Sequence, residues 1–495
     1  MRMSPSTPPA LSSKARMLAV VLIPVLALVA LVSWALASPI GSSPDDDYHM
    51  ASIWCGQGIR EGLCEEGSRA DTRRVPAVIA EAAACFAFDP EQSASCVRPA
   101  ADEMVQTKRG NFEGSYPPVY YATMSIFAGP DPDASILAMR VANAVIFVGL
   151  LSALTLLVPP RLRRAVVLPF AVTSVPLGMF LVPSINPSSW AILSASGLWV
   201  ALIGFVWARE IWRRVALGGL ALVFTVIGAG ARSDSAAYAG LAVLIALILT
   251  FERTRRWYWG VGLGVTLSVI AVIAFLTSGQ SSAVAVDDSS PFSLGLILSN
   301  LLQLPTLWIG SFGTWNLGWL DTVMPAVVWA GSLVVFVAFV FTGLRRMSRQ
   351  KGLVLGLVMA ALIVVPMYIL VNEGISVGAG VQPRYTYPLL VMLAGLAFWH
   401  RNAVLPRFSN AQAGLIVILL TVANSVAMHA NIRRYVTGAE VGGFNLETAP
   451  EWWWPMSFGP NWVWLVGSLA FAGSVGLIMW WSARVDRQAV RGALT

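Results

Sequence analysis

The sequence predicts an all-α polytopic membrane protein with about 12 transmembrane helices and a large first extracytoplasmic loop. Three observations support this fold class. Apolar residues make up 56% of the 495 residues and charged residues only 12%, about half the fraction usual in soluble proteins. The mean hydropathy is +0.68. The apolar residues also fall into segments of about 20 residues, the length that crosses a bilayer.

Twelve apolar segments follow the first 16 residues and make up about half of the remaining chain. A further stretch, 291–310, is apolar but contains Asn300, Gln303 and Pro305, so we expect a re-entrant or interfacial helix there. The twelve segments are 17–38, 135–158, 165–183, 188–207, 215–231, 235–251, 257–277, 326–344, 352–371, 385–399, 411–428 and 461–482.

Basic residues cluster at every second connection between these segments and at both termini. Those regions hold 21 of the 33 Lys and Arg residues but only three acidic residues, Glu210, Glu252 and Asp486. Because cytoplasmic loops are rich in Lys and Arg, we expect both termini in the cytoplasm and the long loops outside. The net charge of +7 is then a topology signal and does not indicate a nucleic-acid partner.

This orientation divides the chain into a cytoplasmic N-terminus (1–16), a first transmembrane helix (17–38), an extracytoplasmic loop (39–134), a polytopic domain of about 11 helices (135–482) and a cytoplasmic tail (483–495). An alternative is cleavage of the first helix, because Ala35-Leu36-Ala37 resembles a signal-peptidase site. The apolar stretch before it is longer than that of a usual signal peptide, and we therefore expect the helix to be retained.

The loop 39–134 contains 15 of the acidic residues and all four cysteines. It is too long for a plain connection, so we expect it to fold over the membrane. Disulfides persist outside the cytoplasm, and four cysteines permit three pairings. The two local pairs, Cys55 with Cys64 and Cys85 with Cys96, are favoured over a zinc site.

The strongest local pattern follows the first helix, where Asp45, Asp46 and Asp47 precede His49. Carboxylates this close raise one another's pKa, which suits a general base. They are also ligands for a hard divalent cation such as Mg²⁺, Mn²⁺ or Ca²⁺; the cluster is compatible with such a cation but does not require one. The alternative is an acidic cap on a short helix that starts near Tyr48.

Aromatic residues accompany polar ones in two outer segments. Tyr116 and Tyr120 lie in a Tyr-Pro-Pro-Val-Tyr-Tyr run, and Trp319 and Asp321 lie in a Gly-Trp-Leu-Asp run. Such residues are typical of an interfacial belt and equally of a surface that stacks on sugar rings. The pattern leaves both interpretations open, with Asp321 as a secondary acid candidate.

Arg384 is a basic residue on the outer side, and it stands where an apolar segment re-enters the bilayer beside Gln382 and Tyr385. An arginine costs roughly 2.5–3.5 kcal/mol at the membrane centre and less near the surface, so we expect an anionic partner. Guanidinium groups match phosphate oxygens, and a lipid phosphate or an internal carboxylate would each satisfy it. Arg232 with Asp234 is more typical of a self-paired structural element.

Other chemistries are excluded by what the sequence lacks. It has no P-loop, no GxSxG, no HExxH and no Rossmann fingerprint. Its three histidines exclude a histidine-rich metal enzyme. The cytoplasmic connections are too short for a nucleotide-binding domain, so a reaction would use substrates that reach the outer face or the bilayer.

Taken in order, five segments resemble the motifs of the DUF2142 family of bacterial membrane proteins. No single motif is specific, but the ordered set spans most of the chain. The segments are Pro44-Asp45-Asp46-x-x-His49, Tyr116-Pro117-Pro118-x-Tyr120-Tyr121, Asn186-Pro187, Gly318-Trp319-Leu320-Asp321 with Pro325, and Val381-Gln382-x-Arg384-Tyr385 with Pro388. The sequence departs from the family pattern at Asp46, Ser188 and Pro383, where glutamate, aspartate and glycine are usual.

This family is grouped with the GT-C glycosyltransferases, so the resemblance implies a GT-C-like fold with its active site on the outer face of a bacterial plasma membrane. It implies inverting transfer of a sugar from a polyprenyl-phosphate donor to a cell-envelope glycan or glycolipid. An acid in the first outer loop is the base of such enzymes, which implies Asp45 as base, Asp46 as its helper and His49 as an orienting or phosphate-contacting residue. Arg384 would hold the leaving phosphate. The sugar site would be lined by Gln382, Tyr385, Tyr116, Tyr120, Trp319 and Asp321.

Three other functions fit parts of the pattern. A polysaccharide polymerase or ligase has similar spans but would depend on outer arginines rather than on an acid after the first helix. A lipid-linked glycan transporter should have charges within its spans and paired broken helices, and few charges fall in these spans. A non-enzymatic envelope scaffold would not need the acid cluster.

Overall fold

The structure is a computed structural model that describes residues 13–97, 103–279, 293–401 and 408–491. Of the predicted terminal parts 1–16 and 483–495, residues 1–12 and 492–495 lie outside the described residues. The helices are α1 (Ser13–Leu36), α2 (Asp46–Trp54), α3 (Ala77–Phe86), α4 (Val119–Met124), α5 (Pro132–Leu157), α6 (Arg163–Thr173), α7 (Met179–Leu181), α8 (Ser188–Trp207), α9 (Ile211–Ala229), α10 (Asp234–Leu249), α11 (Arg255–Leu276), α12 (Leu294–Ile309), α13 (Ala326–Gly343), α14 (Arg349–Asn372), α15 (Pro383–Phe398), α16 (Asn410–Val436) and α17 (Pro460–Arg491). The strands are β1 (Glu65–Glu66), β2 (Arg73–Pro76) and β3 (Met104–Thr107).

Within the described residues, 11 helices are long and apolar enough to cross a membrane, which confirms the all-α polytopic fold class. Ten of them coincide with predicted spans. The other two predicted spans form the shorter helices α10 and α15, of 16 residues each. The eleventh helix is Leu294–Thr314, which combines α12 with a π-helical turn.

The centre of the bundle is built on α8 and α15, which are buried along nearly their whole length. A helix that is apolar on every side is expected to be buried. Sixteen residues span about 24 Å, less than the roughly 30 Å of bilayer hydrocarbon. Helix α15 tolerates this because protein and not lipid surrounds it, and it carries Arg384 at its first turn.

The segments that flank the helix Leu294–Thr314 in the sequence both contact the loop 39–134. We call the end of the bundle that carries this loop the loop side. Gly279, the last described residue before the segment that leads to the helix, donates its amide hydrogen to the Gly114 carbonyl. After the helix, Trp319 Nε1 donates to the Gly41 carbonyl at 2.8 Å. The helix is long and apolar enough for a full span, so the re-entrant assignment stays a prediction.

The loop 39–134 folds into a small unit of three short helices and a three-stranded antiparallel sheet in the order β1-β2-β3. Its two disulfides are the local pairs. Cys55–Cys64 joins the end of α2 to the turn before β1, and Cys85–Cys96 joins the end of α3 to a 3₁₀ turn. The apolar core of this unit includes Trp54 and continues onto the transmembrane helices.

The connection between α1 and α2 is fixed by side chains from distant helices. Buried Arg140 of α5 donates to the carbonyl oxygens of Ala35, Ser38 and Pro39 at 2.6–2.9 Å. Asn431 of α16 donates to Ser38 Oγ at 2.9 Å. Since these bonds satisfy backbone groups that would otherwise be buried without partners, they hold the acid cluster that follows at a defined position.

Candidate functional site

Two residues that are far apart in the sequence form the centre of the candidate site. Arg384 Nη2 lies 2.5 Å from Asp45 Oδ2. Arg109 Nη2 lies 3.5 Å from Asp45 Oδ1 and also binds Asp47 Oδ1 at 2.9 Å. The Asp45 carboxylate is therefore held between two guanidinium groups, with 39% of its side chain exposed.

The backbone at Asp45 does not fit the alternative of a simple helix cap. Asp45 occupies the N-cap of α2 in the left-handed conformation, with φ 60°, and its carboxylate makes no capping bond. Such a conformation costs on the order of 1–3 kcal/mol and is found at functional sites. Instead, Asp46 Oδ2 accepts from the Ser43 amide at 3.0 Å. Asn186 supports the turn by donating to the Pro44 carbonyl at 3.0 Å.

The two adjacent acids differ in protonation because their surroundings differ. Burial acts to raise the pKa of Asp45, but the positive charges of Arg384 and Arg109 hold it below its usual value. Burial raises the pKa of Asp46 to about 7, although Arg140 acts in the opposite direction. At neutral pH, Asp45 is thus an ionised carboxylate at the edge of the site. Asp46 is a buried residue and does not reach solvent.

His49 belongs to an aromatic cluster beside the acids. Its Nδ1 lies 2.9 Å from Tyr121 Oη, and its ring meets that of Tyr116 edge-on at 5.7 Å. Burial lowers the pKa of His49 to about 3, so the ring is neutral. No hydrogen bond joins the His49 ring to Asp45 among the described residues, and only the His49 backbone amide donates to the Asp45 carbonyl, at 2.9 Å. The structure therefore gives His49 a place in the wall of the site.

Arg384 is only 4% exposed, and two of its nitrogens, Nε and Nη1, have no hydrogen-bond partner in the described structure. Each buried donor without a partner costs about 1–3 kcal/mol. The Tyr385 ring lies 5.3 Å from the Arg384 guanidinium and 4.5 Å from that of Arg232. Arg232 in turn binds Asp234 at 2.8 Å, the self-paired element that the sequence indicates. Of these two arginines, Arg384 is the one with buried donors that have no partner.

Two concave surfaces adjoin these residues. A narrow cleft lies at Arg384 and is lined by Pro44, Gln382 and Trp315 among others. A larger, more open pocket of about 1,000 Å³ lies in the loop unit, on the far side of Tyr116 and Tyr121. Its further lining includes Ser52, Arg73, Asn111 and Phe112. The first surface is next to the ion pair, and the second shares the aromatic wall of His49.

Three sequence-predicted residues have contacts of their own elsewhere. Tyr120 is fully buried, and its hydroxyl accepts from Asn143 at 3.3 Å. Trp319 binds the loop backbone as described above. Asp321 forms a buried ion pair with Arg434 at 2.9 Å. The structure thus brings together Asp45, His49, Tyr116, Arg384 and Tyr385, with Gln382 at the cleft, and uses these three to attach the loop unit to the bundle.

The acid cluster does not suit a divalent cation, which the sequence neither required nor excluded. Among the described residues, no group of three or more His, Cys, Asp or Glu side chains is placed to hold a metal ion. Asp45 and Asp47 are already paired with Arg384 and Arg109, whose charges would repel a cation. Asp46 has a raised pKa, and we derive no step through a metal.

Sequence reasoning missed Arg109 and Tyr121, which both contact predicted site residues. Arg109 lies 62 residues from Asp47 in a polar loop, and no local pattern connects the two. The one available signal is that few basic residues lie on the loop side. Tyr121 was visible as the last residue of the Tyr-Pro-Pro-Val-Tyr-Tyr run, but nothing marked its hydroxyl as the partner of a histidine.

Comparison with known proteins gives one match. The family model DUF2142, described as a predicted membrane protein, matches residues 28–393, which include every residue of the site above. Searches of curated proteins and of solved structures found no significant match.

Proposed function

Because the chain belongs to the DUF2142 family of predicted membrane proteins, a description that names no reaction, we propose a function from its site. The protein is an inverting glycosyltransferase of the GT-C type. It transfers a sugar from a polyprenyl-phosphate donor to a cell-envelope glycan or glycolipid on the outer face of a bacterial plasma membrane. Asp45 is its base and Arg384 its phosphate ligand.

The observation that carries this proposal is the state of Arg384. One of its nitrogens holds Asp45, while Nε and Nη1 are buried without partners beside a cleft. Phosphate oxygens are the acceptors that a guanidinium group matches best. A donor phosphate in the cleft would complete the hydrogen bonds of Arg384 and would stand next to an ionised carboxylate.

The proposed reaction uses these two groups in one step. The acceptor hydroxyl gives its proton to Asp45 as its oxygen forms a bond to the anomeric carbon from the face opposite the phosphate. The bond between that carbon and the phosphate oxygen breaks, and its electron pair stays on the phosphate. Arg384 stabilises the negative charge that develops there, the kind of interaction that lowers a transition state most.

An apolar groove supports a donor with a long hydrocarbon chain. It has a volume of about 1,190 Å³ and runs between α1, α5, α6 and α17. Gly178, Met179 and Val182 line its inner end, while Leu177 and Phe180 of the same short segment line the cleft at Arg384. Phosphate cleft and apolar groove thus lie on two sides of one segment, an arrangement that suits an amphiphilic substrate.

The pocket in the loop unit is the proposed acceptor site. It combines aromatic rings with Asn111 and Arg73 side chains, a combination that can stack on sugar rings and bind their hydroxyl groups. It shares Tyr116 and Tyr121 with the wall around His49. An acceptor bound there would approach Asp45 from the solvent side.

The experiment is a reconstituted assay of purified protein with a panel of radiolabelled polyprenyl-phosphate sugars and added envelope acceptors, scoring release of label from the lipid. We expect wild-type protein to release label from one donor. Asp45→Asn should lower the rate by at least a hundredfold, since general-base catalysis contributes about 10²–10⁴. The matched control is Asp71→Asn, the same change at an exposed loop carboxylate that only pairs with Arg69.

Full activity of Asp45→Asn, or of the double variant Asp45→Asn with Asp46→Asn, would overturn the assignment of the base. No release from any donor by well-folded wild-type protein would overturn the proposed reaction itself.

A further inference from the structure

The end of the bundle opposite the loop side carries two adjoining basic cavities. Each has a volume of about 1,000 Å³, and they share Arg161, Trp207 and Arg209. The second cavity continues to Arg255, Arg256 and Arg401. These residues come from the ends of α8, α11 and α15 and from the connections next to α6 and α9. Four separate parts of the sequence therefore converge on one concave surface.

The acids of these cavities are already paired. Glu210 binds Arg213 at 2.7 Å, and Glu252 binds Arg401. Within the described parts of the chain, Arg161, Arg209 and Arg256 have no carboxylate in ion-pair contact, and the same is true of Arg255. The Arg161 guanidinium is instead held flat over the Trp207 ring at 3.8 Å. The surface therefore has an excess of positive charge, with one arginine fixed in position.

Exposed aromatic side chains place these cavities at the level of lipid headgroups. Trp212, Tyr258 and Trp259 are all more than half exposed and lie in the first turns of α9 and α11. Exposed Trp and Tyr at helix ends mark the membrane interface. Further along the same helices, the side chains of Val215 and Val265 are exposed, as expected of residues that face lipid. A lipid with its headgroup in the cavities would have an apolar surface for its chains.

We propose that these two cavities bind the phosphate headgroup of an anionic phospholipid. Basic residues in the connections are enough to orient a protein in the membrane. Orientation alone does not require that these residues surround a cavity. Basic pockets between the cytoplasmic ends of transmembrane helices are the kind of surface that binds anionic headgroups. The site is separate from the one with Asp45 and Arg384, and it stands whether or not the protein transfers sugars.

The test uses purified, delipidated full-length protein in detergent and measures binding of phosphatidylglycerol, phosphatidylcholine and inorganic phosphate by native mass spectrometry and by thermal shift. The pocket variant is Arg161→Gln with Arg209→Gln. The control variant is Arg345→Gln with Arg349→Gln, which removes two exposed charges at the same end of the bundle but outside the cavities. Each variant is compared with its own lipid-free melting temperature, so that a change in folding does not count as a change in binding.

We expect wild type and the control variant to bind phosphatidylglycerol more tightly than phosphatidylcholine. The pocket variant should lose about five- to thirtyfold in affinity for phosphatidylglycerol, the range expected for two interfacial arginines. Equal losses in both variants would show a general charge effect and overturn the proposal. So would unchanged binding in the pocket variant, or inorganic phosphate that binds as tightly as the lipid.

Discussion

Arg384 does two things to Asp45: it fixes the position of the carboxylate and lowers its pKa. The hydrogen bond supplies the first effect and the nearby positive charge supplies the second. We therefore predict that Arg384→Gln moves the acidic limb of the pH profile of kcat/KM to higher pH, because Asp45 would lose a proton less easily. The donor KM should rise as well, since a phosphate ligand is gone. Rates of label release between pH 4 and 8 measure both effects, and an unshifted limb would contradict the assignment of Asp45 as the base.

The pKa of Asp46 is shifted in the opposite direction from that of Asp45, and this shift leads to a prediction about stability. Its folded-state pKa of about 7 is above the unfolded value of roughly 3.9. The neutral form is therefore favoured in the folded protein, and wild-type stability falls as the pH rises from about 4 through 7. The full loss, on the order of 4 kcal/mol, is present above pH 7. Asp46→Asn keeps an oxygen for the Ser43 amide but cannot ionise.

The measurement is the melting temperature of both proteins from pH 4 to 8. The wild-type value should fall relative to that of Asp46→Asn as the pH rises, and the two should be closest at pH 4. Asp71→Asn is again the control, since its carboxylate is exposed. Parallel curves for wild type and Asp46→Asn would show that burial does not hold Asp46 neutral.

At the scale of elements, a buried ion pair lies where the loop unit meets the bundle. The side chains of Arg434 and Asp321 are 1% and 5% exposed, and Asp321 also accepts from the Phe88 amide. Removing one partner of such a pair costs about 3–5 kcal/mol. We predict that Asp321→Asn lowers the melting temperature and speeds proteolysis of the loop unit while leaving the donor KM unchanged.

A raised KM with an unchanged melting temperature would instead show that Asp321 contacts substrate, the secondary role that its sequence context allowed. The comparison variant is Arg69→Gln. Its partner Asp71 lies on the surface, where an ion pair contributes at most about 1 kcal/mol. Arg69→Gln should therefore leave both measurements close to wild type.

The sequence predicted elements well where one physical rule determines them. Lipid-facing helices must be long and apolar, so ten of the twelve predicted spans are span-length helices in the structure. Helix α15 is shorter because its neighbours are protein, which a hydropathy pattern does not register. The sheet β1-β2-β3 went unpredicted because its longest strands have four residues, too few for an alternating pattern.

In the candidate site, too, the sequence predicted some residues and missed others. Asp45, His49 and Arg384 were recognisable because an acid run and an outer arginine are unusual beside apolar segments. Arg109 was not, because it reaches Asp45 and Asp47 through contacts between distant parts of the chain. Trp319 and Asp321 had the right chemistry, but only the packing of the loop unit shows that they attach it to the bundle.

For the whole molecule, the decisive prediction is which side of the membrane carries the site. The 21 Lys and Arg residues at alternate connections and at both termini predict that Asp45 lies outside. The four native cysteines form two disulfides, so a single introduced cysteine can be labelled selectively. In intact cells, a membrane-impermeant maleimide should label Glu113→Cys on the loop side, and it should label Arg345→Cys at the opposite end only after lysis. The reverse pattern would leave the fold intact but would place Asp45 and Arg384 in the cytoplasm, where transfer to an outer-face acceptor could not occur.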